Sequence, residues 1–304
     1  MGQTVMKLGV LAWAAGEAES TGIAAEAQRR GHETVLFEFD DIRCLAAGSG
    51  PRPQINGHDA ASFDVVLSRG HVGLDNWRIA AEHLHLLSSV PGVLVLDPAD
   101  VHVAAVGKFT MLHKLAQAGV PVPPTRECAS VSDFLEACEA WGRVVLKPSV
   151  GFGGIDVERF VEGPTEEAVN QVKSLLIKYG VLLAQPFLEH TGDYRITLIG
   201  DEPSVCVKAL THGDAWRQSH GHGSGPARSP IEVIEPPADL LEVSRLAARA
   251  LDLSMAGIDV IYFHGRPVVI EANVVPGWDG FTQENQNIVN RDVVDYVERR
   301  FQER

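Results

Sequence analysis

Near the C-terminal end, two short apolar runs, Ile258–Phe263 and Pro267–Ile270, flank His264-Gly265-Arg266, a turn of hairpin type. The first run carries Asp259, and the second leads into Glu271-Ala272-Asn273. Side chains alternate faces along a strand, so Glu271 and Asn273 point the same way. Folding the second strand back antiparallel lays Asp259 opposite Glu271. Two carboxylates and an amide oxygen meeting at a strand end suit a hard divalent cation, above all Mg2+ shared with phosphates. A solvated edge hairpin would explain the turn. It would not explain Glu-Ala-Asn closing a buried-type strand, nor the Pro276-Gly277-Trp278 turn that follows.

A second group of residues lies upstream. Trp141–Leu146 reads as a strand ending in Lys147-Pro148, followed by Ser149-Val150-Gly151-Phe152-Gly153-Gly154 and a further strand from Ile155. Glycines let backbone N–H groups approach phosphate oxygens, and Lys147 adds a point charge. The lysine precedes the glycines, so this is not a Walker A loop. Further on, Gly192-Asp193-Tyr194-Arg195 opens a strand, and residues 211–226 form a glycine- and histidine-rich loop holding Arg217. The planar forks of Arg195 and Arg217 suit phosphoryl oxygens. His212, His220 and His222 of that loop stand without an evident acid cluster, which weighs against zinc or copper. No Ser-His-Asp or Cys-His set is apparent as a covalent nucleophile.

The elements that must position these residues can be read in order. Lys7–Trp13, Glu33–Phe39, Ala61–Ser68 and Gly92–Leu96 read as strands alternating with helices Ser20–Arg30 and Asn76–Ser89. That alternation indicates a doubly wound parallel sheet. No G-x-G-x-x-G follows the first strand, so a dinucleotide site is not expected. Ligands of such sheets gather at the carboxyl ends of strands, where Ser68-Arg69-Gly70-His71 falls. Arg69 either anchors a substrate carboxylate or pairs with a loop acid. Gly48–Gly57 reads as a loop, Val103–Ala118 as one helix, and Glu166–Lys178 as an amphipathic helix. Val181–Phe187 reads as a buried strand, Leu240–Leu251 as the last helix before the hairpin, and Asn287–Phe301 as a C-terminal amphipathic helix.

Composition sets outer bounds. The 304 residues suffice for one large domain or two to three small ones, with 45% hydrophobic and 22% charged residues, as in an ordinary globular protein. A net charge of −14 argues against nonspecific nucleic-acid binding and against an anionic membrane surface. Cys44, Cys128, Cys138 and Cys206 form no C-x-x-C pair, and a reduced cytoplasm is the expectation. Leu8–Ala15 imitates a signal peptide, but Glu17 and Glu19 follow at once, and a buried strand feeding a helix is the better reading. No apolar stretch reaches the roughly 20 residues of a membrane span.

Taken in order, these motifs resemble the ATP-grasp superfamily, and within it the RimK-type amino-acid ligases. The resemblance rests on VGKFTMLHKLAQAGVPVPPT, the strand–lysine–glycine turn, VLLAQPFLE, Gly192-Asp193-Tyr194-Arg195 and GIDV…EANVVPGWDGF, and it covers essentially the whole chain. It implies an N-terminal α/β domain with a parallel sheet (1–100), then a two-lobed α+β ATP-grasp domain. The central lobe (101–186) would carry the glycine-rich loop, and the C-terminal lobe (187–304) the Mg2+ site. ATP and Mg2+, with Mn2+ as a substitute, are the implied cofactors. Lys108 and Lys147 would reach the phosphates, and Gly151, Gly153 and Gly154 would close over them. Gln185, Phe187 and Leu188 would form the adenine hinge, and Lys208 would face the nucleotide. Arg195 and Arg217 would stabilise the transferred phosphoryl group, Asp259, Glu271 and Asn273 would hold metal, and Arg69 matches an arginine common in RimK-like proteins. Two positions depart from the pattern: Gly107 replaces Asp before the first lysine, and Ser219 replaces Asn two residues after Arg217.

The implied activity is ATP-dependent ligation of a carboxylate to an amine, such as that of L-glutamate, through an acyl phosphate with release of ADP and phosphate. VVPGW in place of S-P-G points toward a cofactor-biosynthesis branch. Relatives of this type form dimers or tetramers, so the resemblance allows a homo-oligomer. A nucleotide-sensing protein that kept the fold without turnover is the rival of a different class; a kinase-like protein that stops at phosphoryl transfer is the second.

Overall fold

The computed structural model describes residues 4–47, 50–73, 75–190, 192–210 and 230–304. The chain opens with β1 (Lys7–Leu11), α1 (Ala18–Arg29) and β2 (Glu33–Phe37). It continues through β3 (Ile42–Ala47), β4 (Gly50–Ile55), β5 (His58–Asp59), β6 (Val65–Ser68), α2 (Trp77–Ser88) and β7 (Leu94–Leu96). Four of these strands form a parallel sheet in the order β2-β1-β6-β7. Leu8, Val10, Leu11, Val65, Val66 and Leu67 are all buried, as expected of central parallel strands covered on both faces. The apolar run at Leu8 is therefore a core strand.

Residues 48–57 are not simply a loop. Gly50–Ile55 is β4, paired antiparallel with β3 along its length and with β5 at Gln54 and Ile55. Pro51 and Pro53 hide this strand from sequence reading, because proline cannot donate a ladder hydrogen bond. Ile42 and Ile55 face each other across the ladder and are both buried, which draws the small sheet onto the core.

The helix expected over Val103–Ala118 divides in two at Gly107. Its first part is α3 (Ala99–Val106) and its second α4 (Lys108–Gln117), because Gly107 leaves helical geometry at φ −75° and ψ 97°. Lys108 thereby starts a helix, and its backbone N–H donates to Ser149 O at 2.9 Å. One hydrogen bond thus ties the first lysine to the lysine–glycine turn.

Next come β8 (Arg126–Cys128), α5 (Val131–Trp141), β9 (Val144–Pro148), β10 (Glu158–Phe160), α6 (Glu166–Tyr179) and β11 (Leu182–Pro186). These strands form an antiparallel sheet in the order β10-β9-β11-β8. Ser130 and Asp133 start α5 with a reciprocal capping box. The chain ends with β12 (Gly192–Ile199), β13 (Glu202–Pro203), β14 (Cys206–Leu210), β15 (Ile231–Ile234), α7 (Ala238–Ala250), β16 (Met255–Phe263), β17 (Arg266–Asn273) and α8 (Gln283–Gln302). Their sheet runs β15-β14-β12-β16-β17, with β13 against β12.

One face of this last sheet packs Ile196, Leu198, Cys206 and Ile258 against Leu240 and Ala247 of α7 and Leu112 of α4. From the other face, Ile199, Val207 and Met255 join Leu8, Val10, Val65 and Leu67 of the first sheet in one core. Val289, Val293 and Val297 of α8 complete that core. The C-terminal helix thus closes back on α1 and the first sheet. Arg30 pairs there with Asp295 and, at 3.2 Å, with Glu298, and His32 Nε2 lies 2.8 Å from Glu298 Oε1. Among the described residues no helix is long and apolar enough to cross a membrane.

Candidate active site

β16 and β17 pair antiparallel with Asp259 opposite Glu271 and Gly257 opposite Asn273. The register shifts between Asp259 and Val260, directly after the carboxylate pair. A bulge at this point bends the strand and re-aims the side chains beside it. On its other side β16 pairs with β12, where Arg195 is the partner of Asp259. Arg195 Nε and Nη2 each donate to Asp259 at 2.7 Å, and both side chains are buried. Asn273 Nδ2 donates to Asp259 Oδ2 at 3.2 Å and to Gly257 O at 3.1 Å. That leaves the Asn273 oxygen as the group facing away from these partners. The Lys108 ammonium pairs with Glu271 Oε1.

These residues open onto a cavity of about 240 Å³ lined also by Lys147, Gly151, Gly153, Gly154, Phe187 and Leu188. Lys147 enters from β9, and Glu271, Asp193 and Asp259 favour its charge. Burial is the largest cause of its shift and acts with the field of Lys108 to push its pKa down. Gly153 and Gly154 take φ of 65° and 68°, left-handed backbone that glycine adopts without strain. The lysine–glycine turn read from sequence therefore stands at the same cavity as the carboxylate hairpin.

Gln185, Phe187 and Leu188, the expected hinge positions, line this same cavity. Gln185 is buried, and its Nε2 donates to Thr125 Oγ1 at 2.8 Å, so its side chain is held by the fold. The Phe187 ring lies near two guanidinium groups, Arg143 at 5.4 Å and Arg159 at 5.1 Å from its centroid. Phe187 N donates to Arg143 O at 2.9 Å.

Asp193 belongs to this site, although sequence reading gave it no role. It lies two residues before Arg195 on β12, so both side chains leave the same face. That two-residue step was the available signal. Burial raises the Asp193 pKa, assisted by the charge of Asp259 and opposed by His190, Lys147 and Arg195. His190 Nδ1 stands 3.0 Å from Asp193 Oδ1 without hydrogen-bond alignment.

Two expected positions lie elsewhere. Lys208 pairs in register with Tyr194, not Arg195, and its ammonium sits 5.4 Å from the Tyr194 ring centroid. Paired residues share a face, so strand alternation places Lys208 opposite the Arg195–Asp259 pair, away from the cavity lining. Arg69 is fully buried and also outside the lining. Its Nη2 donates to Glu17 Oε1 at 2.9 Å, Nη1 to Pro276 O at 3.2 Å and Nε to Ser20 Oγ at 3.3 Å. Its guanidinium carbon lies 4.4 Å from the Trp278 ring centroid. Arg69 thus fastens α1 to the Pro276-Gly277-Trp278 turn, the loop-acid alternative of the sequence reading. Arg69→Met should cost roughly 3 kcal/mol or more of folding stability by leaving Glu17 buried and unpaired. Urea unfolding checks this; a variant as stable as the wild type would return Arg69 to the substrate role. Arg217, Ser219, His212, His220 and His222 lie outside the described residues.

The donor set fits Mg2+. Asp259, Glu271 and Asn273 offer only oxygen, with the two carboxylates in direct register. In this structure a guanidinium and an ammonium stand against those carboxylates, so the site already draws positive charge. Among the described residues no group of three or more His, Cys, Asp or Glu side chains is arranged to hold a metal. Asn273, an amide, would stand as the third donor beside the two carboxylates.

The chain belongs to the ATP-grasp family: the model of the ATP-grasp domain matches residues 105–276, from just before Lys108 to just past the hairpin. Among its relatives, a Shewanella sp. (strain W3-18-1) protein named Probable alpha-L-glutamate ligase 1 is 24% identical over 302 residues, covering 97% of this chain and 96% of that one. A RimK domain ATP-grasp protein from Sphaerobacter thermophilus DSM 20745 has a similar structure, with a TM-score of 0.68, 20% identity, and coverage of 96% and 99%. The ATP-grasp ligase PsnB, complexed with a phosphomimetic variant of its minimal precursor, Mg and ADP, gives a TM-score of 0.73 at 18% identity, covering 99% and 100%. D-cycloserine synthetase DcsG gives 0.70 at 20% identity, covering 97% and 99%. At these identities the structural likenesses establish the fold.

Proposed function

We propose that this protein is an ATP-dependent ligase that joins a carboxylate to an amine, with an amino acid such as L-glutamate as one partner. The observation that carries this reading is the convergence of the Asp259–Glu271–Asn273 hairpin, Lys108, Lys147 and the glycine-rich turn on one cavity. The names of the glutamate-ligase relatives support the amino-acid partner. Bound at the hairpin, Mg2+ would neutralise phosphate charge.

The chain's own residues then divide the work. Lys108 and Lys147 hold phosphate oxygens, the Gly151–Gly154 turn covers them and excludes water, and Arg195, with Arg217 from the glycine-rich loop, steadies the transferred group. A substrate carboxylate oxygen attacks the γ-phosphorus, the bond to the ADP oxygen breaks, and an acyl phosphate forms. The amine attacks its carbonyl carbon, phosphate leaves, and the amine proton passes to solvent. Within this scheme residues 1–100 supply substrate contacts, 101–186 the phosphate loop and 187–304 the metal hairpin. The free state of all four cysteines supports a cytoplasmic setting.

The test is trapping. A panel of carboxylates supplied with ATP, Mg2+ and hydroxylamine should yield a hydroxamate and ADP for the true substrate. Release of AMP and pyrophosphate would mean adenylation and would overturn the acyl phosphate.

A further inference from the structure

We propose that Trp13 and His71 are positioning residues for the nucleotide: they hold Phe152, and through it the glycine-rich turn, closed over the phosphate end of the cavity. This rests on the reading of the Gly151–Gly154 turn as the phosphate-covering loop. Trp13 follows the carboxyl end of β1 and His71 that of β6, and these strands are neighbours in the first sheet. Phe152 is the one large side chain among the glycines of the turn. The three rings meet: Trp13 and His71 lie 4.2 Å apart, and Phe152 stands edge-on to both, at 5.0 Å and 86° from Trp13 and 4.5 Å and 81° from His71. All three line the cavity.

The turn is also fastened at its start, where Lys108 N donates to Ser149 O at 2.9 Å, so the ring contact bears on its glycine part. Two backbone hydrogen bonds within it, Ile155 N to Phe152 O and Val157 N to Gly154 O, are long at 3.4 Å. Glycine-rich backbone loses the most freedom on ordering, so an anchored side chain changes the cost of closure directly. Edge-to-face rings contribute beyond the area they cover. The His71 platform is itself shaped for this contact. A methyl at Gly73 would come 2.5 Å from His71 Nε2, so only glycine leaves room for the ring. Burial lowers the His71 pKa against the opposing charge of Asp75, which favours the neutral ring against its aromatic neighbours. Holding the turn in place before nucleotide arrives reduces the ordering cost that binding would otherwise carry.

The full-length chain is titrated with Mg2+ and AMPPNP by calorimetry, and analogue release is timed by stopped flow. Phe152→Ala, whose side chain lies outside the hydrophobic cores, should weaken binding about three- to tenfold through faster release. Trp13→Ala should do the same, Trp13→Phe should restore binding, and the double Ala variant should bind no worse than the weaker single one. Unchanged affinity in Phe152→Ala, or additive losses in the double variant, would overturn the proposal alone. A wild-type chain that fails to bind AMPPNP would overturn the functional reading as well.

Discussion

Glu271→Gln lowers ligase turnover on the order of 100- to 1000-fold while lowering the melting temperature only slightly. The substitution keeps length and shape, and the amide oxygen still accepts from Lys108, the partner of Glu271 in this structure. The Lys108 side chain, 10% exposed, loses its counter-charge, but the Glu271 end of the pair is 30% exposed and the hydrogen bond is kept, so the cost in stability stays small. What disappears is one negative charge of the proposed metal donor set. The neighbouring acid makes a poorer probe. Asp259→Asn leaves the buried Arg195 guanidinium without its counter-charge, which costs roughly 3–5 kcal/mol and mixes unfolding with lost chemistry. Turnover is read as ADP release in Mg2+ with the carboxylate and amine that support it. Near-normal release by a folded Glu271→Gln protein would remove the hairpin from the mechanism.

The parts of the site legible beforehand are those set by local periodicity. Asp259, Glu271 and Asn273 sit on a hairpin whose turn residues fix the register, so strand alternation alone brings the carboxylates opposite each other. Lys147 precedes its glycines on one continuous segment, and that spacing survives folding unchanged. What escaped reading depends on contacts between distant segments. Arg195 lies 64 residues from Asp259, and nothing local announces their bidentate pairing. Arg69 had two readings until the packing of α1 and the Trp278 turn enclosed it. The return of α8 onto α1 follows from the apolar stripe of Val289, Val293 and Val297, but the stripe does not name its partner. Lys208 was one step out of phase with Arg195, because the strand after a turn carries no local mark of its register. β4 was missed for a different reason: its prolines contradict strand propensity, and burial of Ile55 overrides them.

Lys147→Met separates the nucleotide reading from mere structural support. Glu271, Asp193 and Asp259 pull the Lys147 pKa up, yet burial and Lys108 bring it below the ordinary lysine range, so the site as a whole disfavours the ammonium. A methionine fills similar space without the desolvation penalty, and the nucleotide-free variant should therefore melt at the wild-type temperature or above it. Adding nucleotide reverses the ranking. Charge-assisted hydrogen bonds to phosphate are worth about 1.5–3 kcal/mol, so the variant should bind Mg2+-ATP roughly 10- to 100-fold more weakly. Ligand binding raises stability by RT ln(1 + [L]/Kd), so at equal nucleotide concentration the thermal shift shrinks in step with affinity. A lysine kept for packing would show the opposite pattern: a lower melting temperature without nucleotide and a wild-type shift with it. Thermal denaturation of both proteins with and without Mg2+-ATP distinguishes the two, and a full shift in Lys147→Met would displace the phosphates from this end of the cavity.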